Sequence, residues 1–254
     1  MASNHPREMD FLRRESGLVS VAWGQAHLIA SADARRHIRE GFARRVYLIQ
    51  TSRLEIDKIA QPHRRKPLSP YETSNLNVHL NSLYFHVRGA LDNLAWALHH
   101  ELRLLGNKGE ADRETQSSCY LFGPKFIKAL KSVRPTLAEM LSQKLDWATE
   151  FKKLRDPVAH RVPLYAVPGV VDQSAIQHMR LVEAEAIAAV QSGDFNAFRS
   201  KLEDSQGLAN YIPIIAVSGP SGIELRHLPR QIQHDQCNFL DIGESIVISF
   251  ANSV

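Results

Sequence analysis

Cysteine is scarce in this chain. Only Cys119 and Cys237 occur among 254 residues, and no Cys-x-x-Cys pair is present. A disulfide framework and a cysteine zinc site are both excluded on that ground. No apolar run approaches the roughly 20 residues that span a bilayer, so no membrane partner is expected. The opening residues Met1 to Arg7 are polar and lack an apolar signal core, which predicts a cytoplasmic protein. No P-loop, no G-x-G-x-x-G and no nucleophile elbow is found. His99-His100-Glu101 resembles half of a zincin site but has no second histidine at helical spacing. No metal and no cofactor are therefore predicted.

What is present is ordinary globular composition, 44% hydrophobic and 23% charged, in a chain long enough to bury a core without cross-links. The net charge of +4 is unevenly spread. Residues 1–66 hold 13 Lys/Arg against 7 Asp/Glu, whereas the remaining 188 hold 18 against 20. Any polyanion-facing surface belongs to the N-terminal part.

Periodicity organises the chain into three stretches. Residues 1–22 show no clear period and are predicted to be loosely ordered. Residues 23–165 read as a helical domain. Ile38, Phe42, Val46, Ile49, Ile56 and Ile59 mark a first helix from about Trp23 to Ala60, ended by Gln61-Pro62. Leu76, Leu80, Leu83, Val87, Leu91, Leu94, Leu98, Leu102 and Leu105 form one seam stopped by Gly106-Asn107. The two predict an antiparallel helical hairpin. After a polar connection over 107–123, a short helix from Pro124 to Ser132 is expected. A stronger one starts at Pro135, with Leu137, Leu141, Leu145, Ala148, Phe151 and Leu154 buried. Pro157 should bend or restart it. Trp96 and Trp147 lie on patterned helices and read as core rather than as base-stacking surfaces.

Residues 166–254 read as an α+β extension packed on this domain. Val182 to Gln191 is one short helix, and Asp194 caps a second that runs to about Asp204. Tyr211–Val217 and Ile223–Leu228 flank Ser218-Gly219-Pro220-Ser221-Gly222 as a β-hairpin with a five-residue loop. Asn238 to Asn252 fits either a strand or a helix. The fold class is thus mainly α, a helical bundle with a small C-terminal α+β extension.

One element carries chemistry, Arg155-Asp156-Pro157-Val158-Ala159-His160-Arg161. Positions five apart on a helix diverge by well over a right angle, and a bend at Pro157 would turn Arg155 and His160 toward one cleft. A histidine near its ordinary pKa can take or give the protons of RNA cleavage. An arginine fork can hold the scissile phosphate. The alternative is structural: Asp156 caps a restarted helix while Arg155 and His160 satisfy buried polar groups. Arg88 and Asp92, four apart on the leucine helix, either form a local ion pair or let Asp92 hold Arg155 or orient His160.

The two long helices, the Arg88-Gly89-Ala90-Leu91-Asp92-Asn93-Leu94 stretch and the Arg155–His160 element resemble the HEPN superfamily of helical nucleotide- and RNA-binding domains. Its pattern is an arginine, a polar residue, and a histidine after four to six intervening positions, which Arg155, Asp156 and His160 match. The string Lys153 to Tyr165 is similar to a group of bacterial HEPN-like proteins. The resemblance spans roughly residues 23–165 and implies an RNA-binding, metal-independent endoribonuclease acting as a homodimer, with the motif at the subunit interface. It also leaves room for a toxin-like role with an antitoxin partner. In that reading Arg155, Asp156 and His160 are catalytic, and Arg88, Asp92 and Arg161 support them. Other members keep the fold as non-catalytic interaction, dimerisation or nucleotide-binding modules.

Overall fold

The computed structural model describes residues 5–160, 162–219 and 222–251; the side chains of 5–9, 157–160 and 206 lie outside that description. The described chain is mainly helical. Helices α1 (His5–Gln25), α2 (Ala32–Arg36), α3 (Ala43–Ile59) and α4 (Pro70–Leu102) come first. Then follow α5 (Arg113–Ser118), α6 (Pro124–Val133), α7 (Pro135–Gln143) and α8 (Leu145–His160). The C-terminal part holds α9 (Ile176–Gln191), α10 (Phe195–Gly207) and α11 (Leu228–Ala251) among five short strands.

The leucine seam is α4. Its start is fixed twice over: Pro70 occupies the first turn, and Ser69 and Glu72 form a reciprocal capping box. It ends at Arg103, whose φ of 52° breaks the helical run three residues before Gly106 at φ 90°. Leu76, Leu80, Leu83, Val87, Leu91, Leu94 and Leu98 are all buried, and α3 packs along them through Val46, Ile49 and Ile56. Between α2 and α3 the helix widens into one π-helical segment, His37–Phe42, in which the Ala43 N–H reaches the Ile38 carbonyl.

Several sequence expectations are corrected. From His5 onward the N-terminal stretch is not loose, because α1 buries Leu18, Val19 and Ala22 against the bundle. The ambiguous end belongs to α11, a helix rather than a strand. Its Phe239, Leu240, Ile242 and Ile246 share the core with α1 and α4. The run predicted from Pro135 breaks at Lys144 into α7 and α8. Helix α8 continues through Pro157 to His160, so the chain does not restart there.

The strands make two antiparallel sheets. One has the order β1 (Tyr165–Ala166), β4 (Ile214–Gly219), β5 (Gly222–His227); the other pairs β2 (Val170–Val171) with β3 (Ala209–Asn210). In the β4–β5 hairpin, pairing extends to Gly219↔Gly222, so the connection is tighter than the five residues expected. Asn81 and Asn77 of α4 anchor this region. Asn81 bonds both the N–H and the carbonyl of Leu164 at 3.0 Å, and Asn77 accepts the Ala166 N–H at 2.7 Å. Asp194 caps α10 as predicted, accepting the Ala197 N–H.

A buried carboxylate joins three helices at the centre. Asp235 of α11 accepts Tyr84 Oη at 2.8 Å, Trp147 Nε1 at 2.9 Å and Gln231 Nε2 at 2.9 Å. Burial raises its pKa, and the three donors oppose that rise. Trp147 is thus core, as its position on a patterned helix predicted.

Candidate functional site

Arg155 sits on the third turn of α8, where that helix lies against α4. Its Nη1 pairs with the neighbouring Asp156 at 2.5 Å, and its side chain is 22% exposed. On α4, Arg88 and Asp92 meet at 3.0 Å, the local pair their spacing allowed. The two groups are not separate. Burial raises the Asp92 pKa, while Arg88, by charge and hydrogen bond, and the charges of Arg155 and Arg45 pull it back down, so Asp92 lies within the field of three arginines.

Tyr120 and Arg45 complete the cluster, and sequence reasoning passed over both. The Arg88 guanidinium lies 4.4 Å from the centre of the Tyr120 ring. Burial raises the Tyr120 pKa, while Arg88 and Arg155 favour its ionised form. Arg45 reaches across from α3, with Nη1 3.2 Å from His86 Nδ1. Burial, reinforced by Arg45, lowers the His86 pKa and keeps that imidazole neutral at pH 7. Arg45 can lie there because position 89 is glycine: a Cβ on Gly89 would stand 2.3 Å from Arg45 Cζ. Arg88 Nε is buried without a hydrogen-bond partner. Such a buried donor in a cationic cluster has unused capacity for an acceptor.

The other predicted residues fall differently. His160 is the last residue of α8, its side chain lies outside the described residues, and so does Arg161. Because α8 runs unbroken through Pro157, regular geometry sets positions 155 and 160 about 140° apart around the helix axis. The chain therefore does not restart at Pro157, and the direction of the His160 side chain lies outside the described residues. Cys119, beside the cluster, has its thiol pushed up to about 12, chiefly by burial and then by Asp92 and Glu110, and is no nucleophile at neutral pH.

Further along α4, His99 is fully structural. Its Nε2 lies 2.9 Å from the Lys108 carbonyl and its Nδ1 accepts the Leu105 N–H at 3.3 Å, which closes the turn after the helix. Glu101 holds the N–H groups of Ala30 and Ser31 at 2.9 and 2.8 Å. His99-His100-Glu101 is thus no half-zincin. His100 turns the other way, onto Trp96 and His37.

Chemically, the Arg45–Arg88–Arg155 cluster is suited to an anion carrying several acceptor oxygens. Among the described residues the carboxylates paired with these guanidinium groups are Asp92, on Arg88, and Asp156, on Arg155, and a buried Arg88 Nε has no partner, which leaves donors for phosphate oxygens. No family model, curated protein or solved structure matches the chain.

Proposed function

We propose that this chain is a HEPN-like RNA-binding protein that grips RNA phosphates between α4 and α8. The observation that carries the reading is the Arg88–Asp92 pair on α4, with Arg155 of α8 and Arg45 of α3 near enough for their charges to act on the same carboxylate. Asp92 holds the guanidinium groups apart and oriented, and an RNA phosphate takes the forks that Asp92 and Asp156 leave open. The Tyr120 ring, under Arg88, offers a surface beside that phosphate.

The narrower reading is metal-independent endoribonuclease. In it Arg155 stabilises charge on the phosphorane, Asp156 positions Arg155, and His160 acts as general acid/base; cleavage leaves a 2′,3′-cyclic phosphate. A homodimer lets His160 of one protomer meet the arginine cluster of the other, which reconciles the roles with the helical separation of positions 155 and 160. The exposed series Tyr71, Val78 and Phe85 supports that dimer. It repeats every seven residues on α4 and leads to Asp92.

The test is RNA cleavage in chelator. Parent protein should cut single-stranded RNA and His160→Ala should not; equal rates would remove His160 from the reaction. The same exposed series favours a second reading, a non-catalytic dimerisation module. There Arg155→Ala should cost about 1 kcal/mol or more in thermal melting, as lost buried partners do, whereas the binding reading leaves the variant nearly as stable as the parent.

A further inference from the structure

The π-helical segment before α3 has a consequence that the arginine cluster does not use. Its first residue, His37, faces Asn93 and His100 on α4, and Glu110 from the loop after α4 closes over both imidazoles. The coordinating atoms of His37, His100 and Glu110 all lie within 4.8 Å of one another. We propose that these three side chains form a binding site for a divalent transition-metal ion of the zinc type.

Tautomer chemistry supports it. The Asn93 amide nitrogen donates to the Gly89 carbonyl at 2.6 Å, which fixes Asn93 Oδ1 as an acceptor. That oxygen lies 3.0 Å from His37 Nδ1, so Nδ1 is the donor to it and Nε2 is the ring nitrogen turned toward Glu110. Nε2 lies 2.9 Å from Glu110 Oε1. An ion placed between this nitrogen and this oxygen would be ligated by both. His100 repeats the pattern: its Nε2 is buried, lacks any hydrogen-bond partner, and lies 4.0 Å from the same Glu110 oxygen. Two imidazole nitrogens thus aim at one carboxylate oxygen. An amide orienting the far nitrogen of a metal-binding histidine is the usual outer support of such ligands.

The donor set selects the ion. Two nitrogens and one carboxylate suit zinc and its neighbours, with solvent completing the coordination, and not magnesium or calcium, which prefer oxygen cages. Metal–ligand bonds of ~2.0–2.2 Å need the three atoms about 3.3 Å apart. Glu110, on an exposed loop, can close its gap of about 0.7 Å to His100, and ring rotation can bring together the two imidazole nitrogens, which lie within 4.8 Å of each other. Arg36 now lies 3.0 Å from Glu110 and is the competing cation; Asp33, 3.7 Å from Arg36, is its alternative partner. Gly41 keeps the site open, since a Cβ there would stand 1.9 Å from Asn93 Oδ1. The bound ion would tie the π-segment, α4 and the following loop together.

The experiment uses the full chain, free of any affinity tag, stripped with chelator and titrated with zinc or cobalt(II). One equivalent should bind, cobalt should give a visible ligand-field spectrum, and melting should shift upward; magnesium and calcium should do none of these. Glu110→Gln and His100→Gln should each weaken zinc binding at least about tenfold and abolish the cobalt spectrum. Glu110→Gln changes an exposed side chain and so tests the site without threatening the fold. No uptake by the parent would overturn the proposal. Uptake unchanged in both variants would overturn it equally. Neither result bears on the RNA reading, because that reading uses none of these ligands.

Discussion

At the residue scale, the clearest titrating contact is Glu72. It closes the capping box of α4 and also takes both arms of Arg64, at 2.6 and 2.7 Å. Arg64, opposed by burial and aided by the Ser69 N–H, holds its pKa at about 2 instead of 4.5. A carboxylate depressed in the folded state stabilises the protein above its unfolded pKa, and that support is lost as pH falls through the folded one. Parent stability should therefore decline between pH 4.5 and about 2 partly through this group. Glu72→Gln should melt at a lower temperature at pH 7, by on the order of 1 kcal/mol, with the gap to the parent closing toward pH 2. A constant gap across that range would show that the carboxylate charge is not what matters. The Ser69-x-x-Glu72 capping box went unread in the sequence, where the leucine seam began only at Leu76. Arg64 as the partner of Glu72 went unread too, because it lies on the basic loop outside any periodic element.

At the element scale, helix α4 was legible nearly residue by residue, since a leucine seam with threes and fours admits only one buried face. The π-segment was not. Its wide turn leaves the apolar spacing of Ile38 and Phe42 intact while rotating His37 toward α4, and no sequence period reports that. Arg155, Arg88 and Asp92 were identifiable from motif and spacing, whereas Arg45 and Tyr120 reach the site through packing between helices. Pro157 misled in the opposite sense: the tertiary setting of α8 tolerates it. Gly89 gives a direct test of the α3–α4 crossing. Gly89→Ala adds a Cβ 2.3 Å from Arg45 Cζ, and the guanidinium must swing away. Stability should change by no more than about 1 kcal/mol, since alanine favours the helix, while RNA affinity falls several-fold. Undiminished affinity would remove Arg45 from the binding surface.

At the scale of the whole molecule, α1 and α11 close the bundle at one side, where Arg14 spans Asp241 and Glu244 at 2.9 Å. One stripe of α4 is less covered. Tyr71, Val78 and Phe85 are 78%, 61% and 52% exposed, in line along a single helix. Such a line predicts self-association through α4. Light scattering should find a dimer, and Phe85→Asp should be monomeric with an unchanged helical circular dichroism spectrum and a melting temperature that no longer depends on protein concentration. A parent that stays monomeric at every concentration would contradict this surface and the homodimer with it. The sequence foretold the seam that buries α4 but not this second, exposed stripe, because the leucines dominate the pattern.

The most direct measurement of the central claim is the affinity of the parent and of Arg155→Ala for a single-stranded RNA whose 2′-hydroxyls are methylated, so that binding is read without cleavage. If Arg155, Arg88 and Arg45 hold phosphate, the parent binds with an affinity that falls steeply with salt, and Arg155→Ala binds at least about tenfold more weakly with a shallower slope. Equal affinities and equal slopes, in a variant that melts with the parent, would contradict it.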